Sequence, residues 1–345
     1  MKILQWFTQW GKGPEFRTKV RDIRGIHKYP SYQTPYVMVP SAYDAWIDAL
    51  ECDRLNGSVF VDGKEDFSFI DDYDMLFTII LGDNMGSTAW LREHYPEKKI
   101  ITILEPFPPY WYYNNVNNLL ADRFPLMKKD VEAADMVLLD SIVYIKELSE
   151  IYHTNKITYN PNPNENEYIK SFWNPEERRN NLLGGGQHCN FVHTRIETEK
   201  VLREFNRRGR IERWLFNNLP NMYYPEWDRV LTRMPQKEDY LREQNKIYVF
   251  VDNCTGACSI QTRRCAAMGI PTVGNNQIDS QIQICPDLAP SPTNYKGMAL
   301  LLEELFDNED FYEEQVKKTL INVEQYSYSS CKERLFKELK RLDVI

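Results

Sequence analysis

Residues 246–273 read KIYVFVDNCTGACSIQTRRCAAMGIPTV and contain, in order, a predicted strand, turn, helix and second strand. The strongly apolar segment Lys246–Val251, KIYVFV, is predicted to form a strand. Small residues follow it, helical spacing begins near Ser259, and Pro271–Val273 is a short second strand. Such a unit predicts parallel strands, because the helix returns the chain to the starting edge of the sheet.

The same alternation runs through most of the chain. The other predicted strands are Met1–Phe7, Ser58–Val61, Met75–Leu81, Lys99–Leu104, Met136–Leu139, Lys156–Tyr159, Cys189–Thr194 and Glu212–Phe216. The predicted helices include Ala42–Leu55, Ser87–His94, Pro125–Ala134, Ile142–Tyr152, Glu197–Phe205, Pro235–Glu243, Lys296–Phe306, Glu309–Tyr326 and Ser329–Leu342. This order predicts an α/β fold with helices on both faces of parallel sheets.

The segment Asn160–Asn166, NPNPNEN, lies near the middle of the chain. Proline and asparagine favour turns, so this segment is interpreted as a domain linker, with a surface loop inside one domain as the alternative. At about 100–200 residues per domain, the 345 residues (40.9 kDa) predict two domains.

Composition narrows the class of protein. Hydrophobic residues make up 42% and charged residues 27%, which is ordinary for globular proteins and unlike disordered chains. The net charge of −8 argues against a nucleic-acid coat or a polybasic membrane binder, and leaves open a local basic cleft. No apolar run approaches the ~20 residues of a membrane span, and MKILQWF lacks the pattern of a signal peptide, so a cytoplasmic protein is expected.

The seven cysteines are scattered and are expected to be thiols. Cys254, Cys258 and Cys265 cluster, but neither a second close pair nor a nearby histidine accompanies them. Buried small thiols are therefore preferred over a zinc site, and no metal is predicted. Asp72-Tyr73-Asp74 looks like a metal–diphosphate motif, but it precedes its strand and is expected at the amino edge of the sheet.

Several glycine-rich and nucleophile motifs are missing. Gly184-Gly185-Gly186 does not have the GxxxxGK[ST] pattern of a phosphate-binding loop and is expected to precede a strand. The chain contains neither GxGxxG nor GxSxG.

Two segments are candidates for binding a diphosphate, since ligands of open parallel sheets bind beyond the carboxyl ends of the strands. Arg195 is expected to leave the strand Cys189–Thr194, and Lys200 follows five positions later. An arginine fork and a lysine point charge can neutralise a diphosphate, and the alternative is a solvated arginine with a helix-surface lysine.

The second segment is the turn after Val251. Thr255, Gly256 and Ala257 are small, and Ser259 opens a helix. Free backbone N–H groups, hydroxyl donors and the helix dipole together can bind an anion. An ordinary strand–helix connection, which also prefers small polar residues, is the alternative.

A third set of candidates follows the strands of the first half. Glu105 ends the strand Lys99–Leu104, where a carboxylate can act on a substrate hydroxyl or stabilise a positively charged sugar ring, or merely accept a structural hydrogen bond. Polar and aromatic side chains nearby can contact a hydroxylated acceptor or simply pack. The acceptor-site candidates are Asp83, Asn84, Tyr110 and Trp111.

Taken in order, these signals resemble the GT-B glycosyltransferases, specifically the retaining glycosyltransferase family four, which includes sucrose-phosphate synthases. The strand and linker of that family resemble KITYNPNPNENEY, and its diphosphate-binding GRxxxxK segment is similar to FVHTRIETEK. Its later segments resemble VLTRMPQKEDYLREQNKIYVFVDN and CAAMGIPTVGNNQIDSQI, and its closing helix is similar to QYSYSSCKERLFKEL.

The resemblance implies two Rossmann-like domains that face each other across a cleft. Residues 1–165 would bind the acceptor, residues 166–327 would bind a nucleotide-sugar, and 328–345 would form a helix that packs back on the first domain. It implies that Arg195 and Lys200 bind the donor diphosphate. The backbone near Arg233 and Met234 would border the nucleotide base.

The family's paired glutamates, which touch the donor sugar and the ribose, fall near Gly256 and at Arg264, where this chain has no acid. Arg264 is therefore placed at the ribose. Asp252 is a substitute carboxylate at the end of its strand, and with Glu105 it makes up the predicted catalytic pair.

The predicted function is transfer of a sugar from a nucleotide-sugar to an unidentified acceptor hydroxyl, with retention and without a metal or other cofactor. The acceptor can be a glycan, a small molecule, a protein or a modified nucleic acid. The missing glutamates favour one alternative, a non-catalytic GT-B module that binds a nucleotide or a partner. A virus-type DNA-modifying sugar transferase is a second alternative, which the acidic net charge disfavours.

Overall fold

The computed structural model describes residues 1–7, 25–27, 45–56, 60–61, 64–65, 67–80, 85–104, 117–186, 192–207, 209–217, 225–232, 237–253 and 259–345. Contacts within the chain separate it into two compact units. The first comprises the described residues up to Pro163 together with Tyr328–Ile345, and the second comprises Asn164–Ser327. Each unit is built on a largely or wholly parallel sheet, which confirms the predicted α/β class.

In the described part of the chain, the first unit has a seven-stranded sheet and a separate hairpin made by β4 and β5. Its strands are β1 (Ile3–Phe7), β2 (Gly25–His27), β3 (Asp53–Asn56), β4 (Phe60–Val61), β5 (Lys64–Glu65), β6 (Met75–Ile80), β7 (Lys99–Leu104), β8 (Met136–Leu139) and β9 (Ile157–Tyr159). The order in the sheet is β2-β3-β1-β6-β7-β8-β9, and only β2 runs antiparallel to its neighbour. Every residue of β6 is buried, as its continuous apolar run predicts.

Both faces of this sheet are covered. The helices are α1 (Ala45–Leu50), α2 (Ser87–His94), α3 (Asn117–Ala133) and α4 (Ile145–Tyr152), with a 3₁₀ turn at Ser68–Asp72. Phe77 of β6 packs in one apolar cluster with Trp46 of α1, whereas the adjacent Leu76 packs in another with Leu91 of α2. This alternation follows from the two-residue period of a strand.

The second unit has five strands, all parallel, in the residues described. They are β10 (Arg179–Gly186), β11 (Glu212–Asn217), β12 (Arg229–Thr232), β13 (Ile247–Asp252) and β14 (Thr272–Gly274), in the order β12-β11-β10-β13-β14. The helices are α5 (Asn166–Lys170), α6 (Val192–Glu204), α7 (Lys237–Asn245), α8 (Ile260–Ala267), α9 (Asp279–Ile284), α10 (Tyr295–Asp307) and α11 (Glu309–Asn322), with 3₁₀ turns at Pro175–Glu177, Pro286–Leu288 and Val323–Tyr326. A helix long and apolar enough to cross a membrane is not found among the described residues.

The last helix, α12 (Tyr328–Arg341), belongs to the first unit. Cys331, Leu335 and Leu339 recur every four residues on one face and are buried in the same apolar cluster as Trp46 of α1. Burial of each such leucine contributes about 1.5–3 kcal/mol relative to exposure. The chain before the second unit is tied to this helix, because the Asn160 side chain donates to the Cys331 carbonyl over 3.2 Å.

The segment before Arg195 differs most from its prediction. The end of the predicted strand Cys189–Thr194 is helical from Val192, and the strand of this region is β10, which ends at Gly186. The glycine triplet therefore ends a strand and does not precede one. Because glycine is unfavourable in strands, the glycine triplet does not predict a strand from the sequence. The reason for glycine is packing, because a methyl group at Gly185 would lie 2.0 Å from Cη2 of Trp227.

Two further boundaries are also wrong in the prediction. The helix expected over Ala42–Leu55 ends at Leu50, and residues from Asp53 form β3. Pro125, expected in a first helical turn, lies inside α3, which begins at Asn117. In both places the local sequence pattern predicts the element but not the residue at which it begins or ends.

Gly185→Ala should destabilise the second unit by roughly 1–3 kcal/mol, since the buried Trp227 indole must move to admit the new methyl group. Gly186→Ala is the matched control, because its new methyl group would meet Phe250 Cζ at 3.1 Å and needs only a small adjustment. Urea unfolding of both variants tests the packing. Equal stability of the two variants would contradict it.

A pH-dependent contribution to stability is expected from Asp130 of α3, which caps the start of α2. Its carboxylate accepts the Gly86 N–H over 2.6 Å and the Ala89 N–H over 2.9 Å, and burial raises its pKa to about 6. The folded protein therefore holds this proton to higher pH than the unfolded chain does. Relative to Asp130→Asn, the wild type should lose roughly 2–3 kcal/mol of unfolding free energy as the pH rises from about 4 to 7. Urea unfolding at several pH values in this range measures the difference. The prediction is wrong if the unfolding free energies of wild type and variant change in parallel with pH.

Candidate functional site

The carboxyl edge of the second unit's sheet carries the candidate site. β10 ends at Gly186, β13 at Asp252 and β14 at Gly274, and parallel strands place these ends along one edge. α6 and α8 begin beyond the ends of β10 and β13. The unpaired N–H groups and the dipole at such helix starts favour negative ligands.

A buried relay of hydrogen bonds holds the start of α8. Ser259 is its N-cap: the hydroxyl oxygen accepts the Thr262 N–H over 3.1 Å, and the hydroxyl itself donates to the Asp252 carboxylate. The Ser259 N–H donates to the hydroxyl oxygen of Ser280 in α9 over 3.0 Å. β13, α8 and α9 are thereby joined at one point of the edge.

This relay changes what is expected of two predicted residues. Both donors of Ser259 are engaged by the protein, so the predicted contact of Ser259 with a diphosphate would require it to give up these bonds. The contact of Asp252 with Ser259 is that of a positioning residue, and a catalytic role for Asp252 stays a prediction. The remaining predicted turn residues, Thr255, Gly256 and Ala257, lie outside the described residues.

Arg195 and Lys200 both lie on α6. Arg195 is inside the helix and does not leave a strand as predicted, and its side chain is not among those described. Five positions along an α-helix turn the chain by about 140° beyond a full circle. The two residues therefore lie on different faces of the helix. The sequence analysis did not show this, because it placed Arg195 at the end of a strand.

Lys200 is held by two neighbours. Its ammonium lies 2.7 Å from Oε1 of Glu197 and 3.4 Å from the hydroxyl of Tyr295 in α10, and the Tyr295 hydroxyl donates to Oε2 of Glu197. The hydrogen bond from Glu197 raises the pKa of Lys200 above its ordinary value. The lysine side chain is 40% exposed, so the cation is in place and open to solvent.

Two asparagines missed by the sequence reasoning complete this edge. Asn253 follows β13, and its side-chain oxygen accepts from Nδ2 of Asn275, which follows β14, over 2.8 Å. The backbone N–H of Asn253 donates to the Thr198 hydroxyl of α6 over 3.2 Å. Both residues are buried, and each lies two positions after the end of a predicted strand, which was the available signal in the sequence.

Of the residues predicted at the nucleotide base and ribose, the structure describes one, Arg264. Arg233 and Met234 lie outside the described residues. Arg264 lies in α8 and is only 9% exposed. Burial lowers the pKa of its guanidinium below the ordinary value.

Asp83, Asn84, Glu105, Tyr110 and Trp111 all lie outside the described residues. Asp74 directly precedes β6 at the amino edge of its sheet, as predicted, and its carboxylate accepts the Lys2 N–H over 2.6 Å.

Metal-ligand geometry is not found in the described part of the chain, where His, Cys, Asp and Glu form no group of three suited to a metal ion. Cys265 is a buried free thiol that accepts from the Gln244 side chain over 3.1 Å, and burial raises its pKa. Its sequence neighbours Cys254 and Cys258 lie outside the described residues.

A cavity of about 720 Å³ lies at the opposite, amino edge of the second sheet. Its walls include Arg178, just before β10, and Tyr248, near the start of β13. The Arg178 guanidinium already donates to the Gly269 carbonyl and to the Tyr312 hydroxyl, each over 3.0 Å. This cavity is therefore walled by groups that the protein uses itself, and it is remote from the helix starts described above.

Solved structures share this architecture. A UDP-forming α,α-trehalose-phosphate synthase from Burkholderia xenovorans superposes with a TM-score of 0.62 at 12% identity, covering 79% of this chain and 74% of its own. Sucrose-phosphate synthase from Thermosynechococcus elongatus gives a TM-score of 0.62 at 10% identity over 99% of both chains. An α-glucosyltransferase in complex with UDP-glucose and DNA containing an abasic site gives 0.62 at 11% identity, also over 99% of both.

These likenesses show the fold. The chain has the two-unit GT-B fold of these glycosyltransferases, as the sequence resemblance predicts. No protein-family model and no curated protein sequence matches the chain.

Glu197→Gln should strengthen binding of inorganic pyrophosphate by roughly twofold to tenfold, because the carboxylate competes with an anion for Lys200. Calorimetric titration of wild type and variant measures this change. Glu204→Gln, which alters an exposed acid of the same helix, is the control and should leave the affinity unchanged. Weaker binding by Glu197→Gln would show instead that Glu197 is needed to hold Lys200 in place.

Proposed function

We propose that this protein is a glycosyltransferase that uses a nucleotide-sugar donor. The observation that carries the proposal is the carboxyl edge of the second sheet, where the starts of α6 and α8 and the exposed ammonium of Lys200 favour a diphosphate. Two of the fold neighbours are a UDP-forming synthase and a glucosyltransferase in complex with UDP-glucose, which supports a nucleotide-sugar as the ligand.

The second unit would bind the donor. Lys200, with Arg195 from another face of α6, would neutralise the diphosphate, and the capped start of α8 would direct its dipole toward the same charge. During transfer the bond between the anomeric carbon and the phosphate oxygen breaks, so negative charge grows on the leaving nucleoside diphosphate. Fixed cations and backbone dipoles stabilise that charge without a metal ion.

With retention of configuration, the acceptor oxygen bonds to the anomeric carbon on the face from which the diphosphate leaves. The acceptor proton passes to an oxygen of the departing phosphate, and the products are the glycoside and the nucleoside diphosphate. Glu105, Asp83, Asn84, Tyr110 and Trp111 are the proposed acceptor-side residues, and Glu105 is proposed to accept a hydrogen bond from an acceptor hydroxyl.

A DNA acceptor is the second candidate. One fold neighbour that covers 99% of both chains is an α-glucosyltransferase in complex with UDP-glucose and DNA. In this chain, residues 12–28 hold six lysine or arginine residues against two acidic ones, although the whole chain has a net charge of −8. A local positive segment on an acidic protein suits contacts with a phosphate backbone.

The proposal is tested with a thermal-shift screen of nucleoside diphosphates and nucleotide-sugars, followed by assays of nucleoside diphosphate release. Acceptors should include sugar phosphates, glycans and hydroxymethylated duplex DNA. Lys200→Ala and Arg195→Ala should each weaken donor binding, because each removes a cation that would form a charged hydrogen bond with the diphosphate. Lys317→Ala, an exposed lysine of α11, should leave binding and turnover unchanged.

The outcomes separate the candidate functions. Release of nucleoside diphosphate with one donor supports the enzyme, and labelling of DNA by that donor selects the DNA acceptor. Nucleotide binding without release or transfer across the whole panel would overturn the enzyme in favour of a binding module. Absence of any nucleotide binding would refute the site itself.

A further inference from the structure

Arg264 stands out among the described residues because it is a largely buried cation that makes no hydrogen bond or ion pair there, while its guanidinium nitrogens still reach the surface. Its side chain is 9% exposed, yet none of the hydrogen bonds and ion pairs in the described part of the chain involves its guanidinium. A buried charge without compensation costs several kcal/mol, whereas a paired one is compensated by its counter-ion. Arginine cannot avoid this cost by losing its proton, because it stays charged at all accessible pH values.

The groups around Arg264 are engaged elsewhere. The Tyr240 hydroxyl of α7 donates to Oε1 of Gln261 over 2.7 Å, and the Gln244 side chain donates to the same oxygen and to the Cys265 sulfur. Burial raises the pKa of Tyr240 far above its usual range, so this phenol is neutral and is no counter-ion.

The charged groups near Arg264 do not neutralise it either. The carboxylate of Glu165 is close enough to favour the charged guanidinium but makes no ion pair with it, and burial lowers the pKa of Arg264 more than any neighbour raises it. The adjacent cation, Arg263, opposes the charge.

Arg264 also lies at the carboxyl edge of the sheet. Tyr240, its neighbour, packs edge-on against Phe216 near the end of β11, with ring centroids 5.3 Å apart. Gln261, one turn before Arg264 in α8, lies against Gly186, the last residue of β10. Arg264 thus lies one helical turn beyond a side chain that lines this edge.

We infer that Arg264 is an anion-binding residue of this site and that a phosphoryl oxygen of the bound ligand completes its missing ion pair. A ribose hydroxyl, the partner that the sequence resemblance implies at this position, is neutral and cannot compensate a buried cation. The ligand class is therefore one in which a phosphate group reaches α8 as well as Lys200. This inference deepens the proposed function and rests on it for the identity of the ligand as a nucleoside diphosphate derivative.

The experiment compares wild type, Arg264→Met and Arg264→Lys by calorimetric titration with inorganic pyrophosphate and with UDP. Arg264→Met should bind pyrophosphate at least tenfold more weakly, and Arg264→Lys should recover part of that loss. Urea unfolding without ligand should show Arg264→Met to be as stable as wild type or more stable, because it removes an uncompensated buried charge. Arg242→Met, an exposed arginine of α7, is the control and should change neither quantity.

Unchanged pyrophosphate affinity in Arg264→Met would overturn the inference, as would failure of the wild type to bind pyrophosphate. A loss of affinity that Arg264→Lys does not recover in any part would also overturn it, because a second cation at this position should still attract the anion. Binding of pyrophosphate needs no sugar transfer, so the two proposals can fail separately. If the protein binds pyrophosphate through Arg264 but transfers no sugar, only the proposed function is refuted. If the protein is a transferase and Arg264→Met changes neither its activity nor its pyrophosphate affinity, only this inference is refuted.

Discussion

The single direction of the strands in the second unit is the constraint from which its chemistry follows. Helical crossovers return the chain to the same side of the sheet each time, so the polar residues that follow the strands all lie at one edge. Asp252, at the end of β13, can therefore accept from the N-cap of the following helix, and Asn253 can meet Asn275 from the next strand. Each of these buried polar groups is satisfied only because its partner leaves the sheet at the same edge.

Cations of this unit are accommodated in different ways, and the difference has functional meaning. Lys200 is exposed and lies against Glu197, an arrangement that costs little to form or to open. Arg263 is buried with its guanidinium over the Tyr326 ring, 5.3 Å from the centroid. Arg264 has neither arrangement, so its guanidinium keeps all of its hydrogen-bond donors available for an added anion.

The fold could be predicted from the sequence wherever hydrophobic burial decides the local structure. Apolar runs such as Met75–Ile80 and Ile247–Val251 predict largely buried strands, and the four-residue spacing of Cys331, Leu335 and Leu339 predicts a buried helix face. The glycine strand β10 could not be predicted this way. At Gly185 the residue is set by the space that Trp227 takes, and Trp227 lies far away in the sequence.

By itself, the sequence determined the α/β class, the parallel sheets and the segments that reach the carboxyl edge, because these depend on the period and length of apolar runs. Tertiary structure alone decided what those polar residues do there. It converts Ser259 from an expected ligand donor into a helix cap on Asp252, sets Glu197 and Tyr295 against Lys200, and leaves the Arg264 guanidinium buried without a counter-ion. The physical reason is that a hydrogen bond or an ion pair depends on which group of another element arrives within about 3 Å, and no local pattern carries that information.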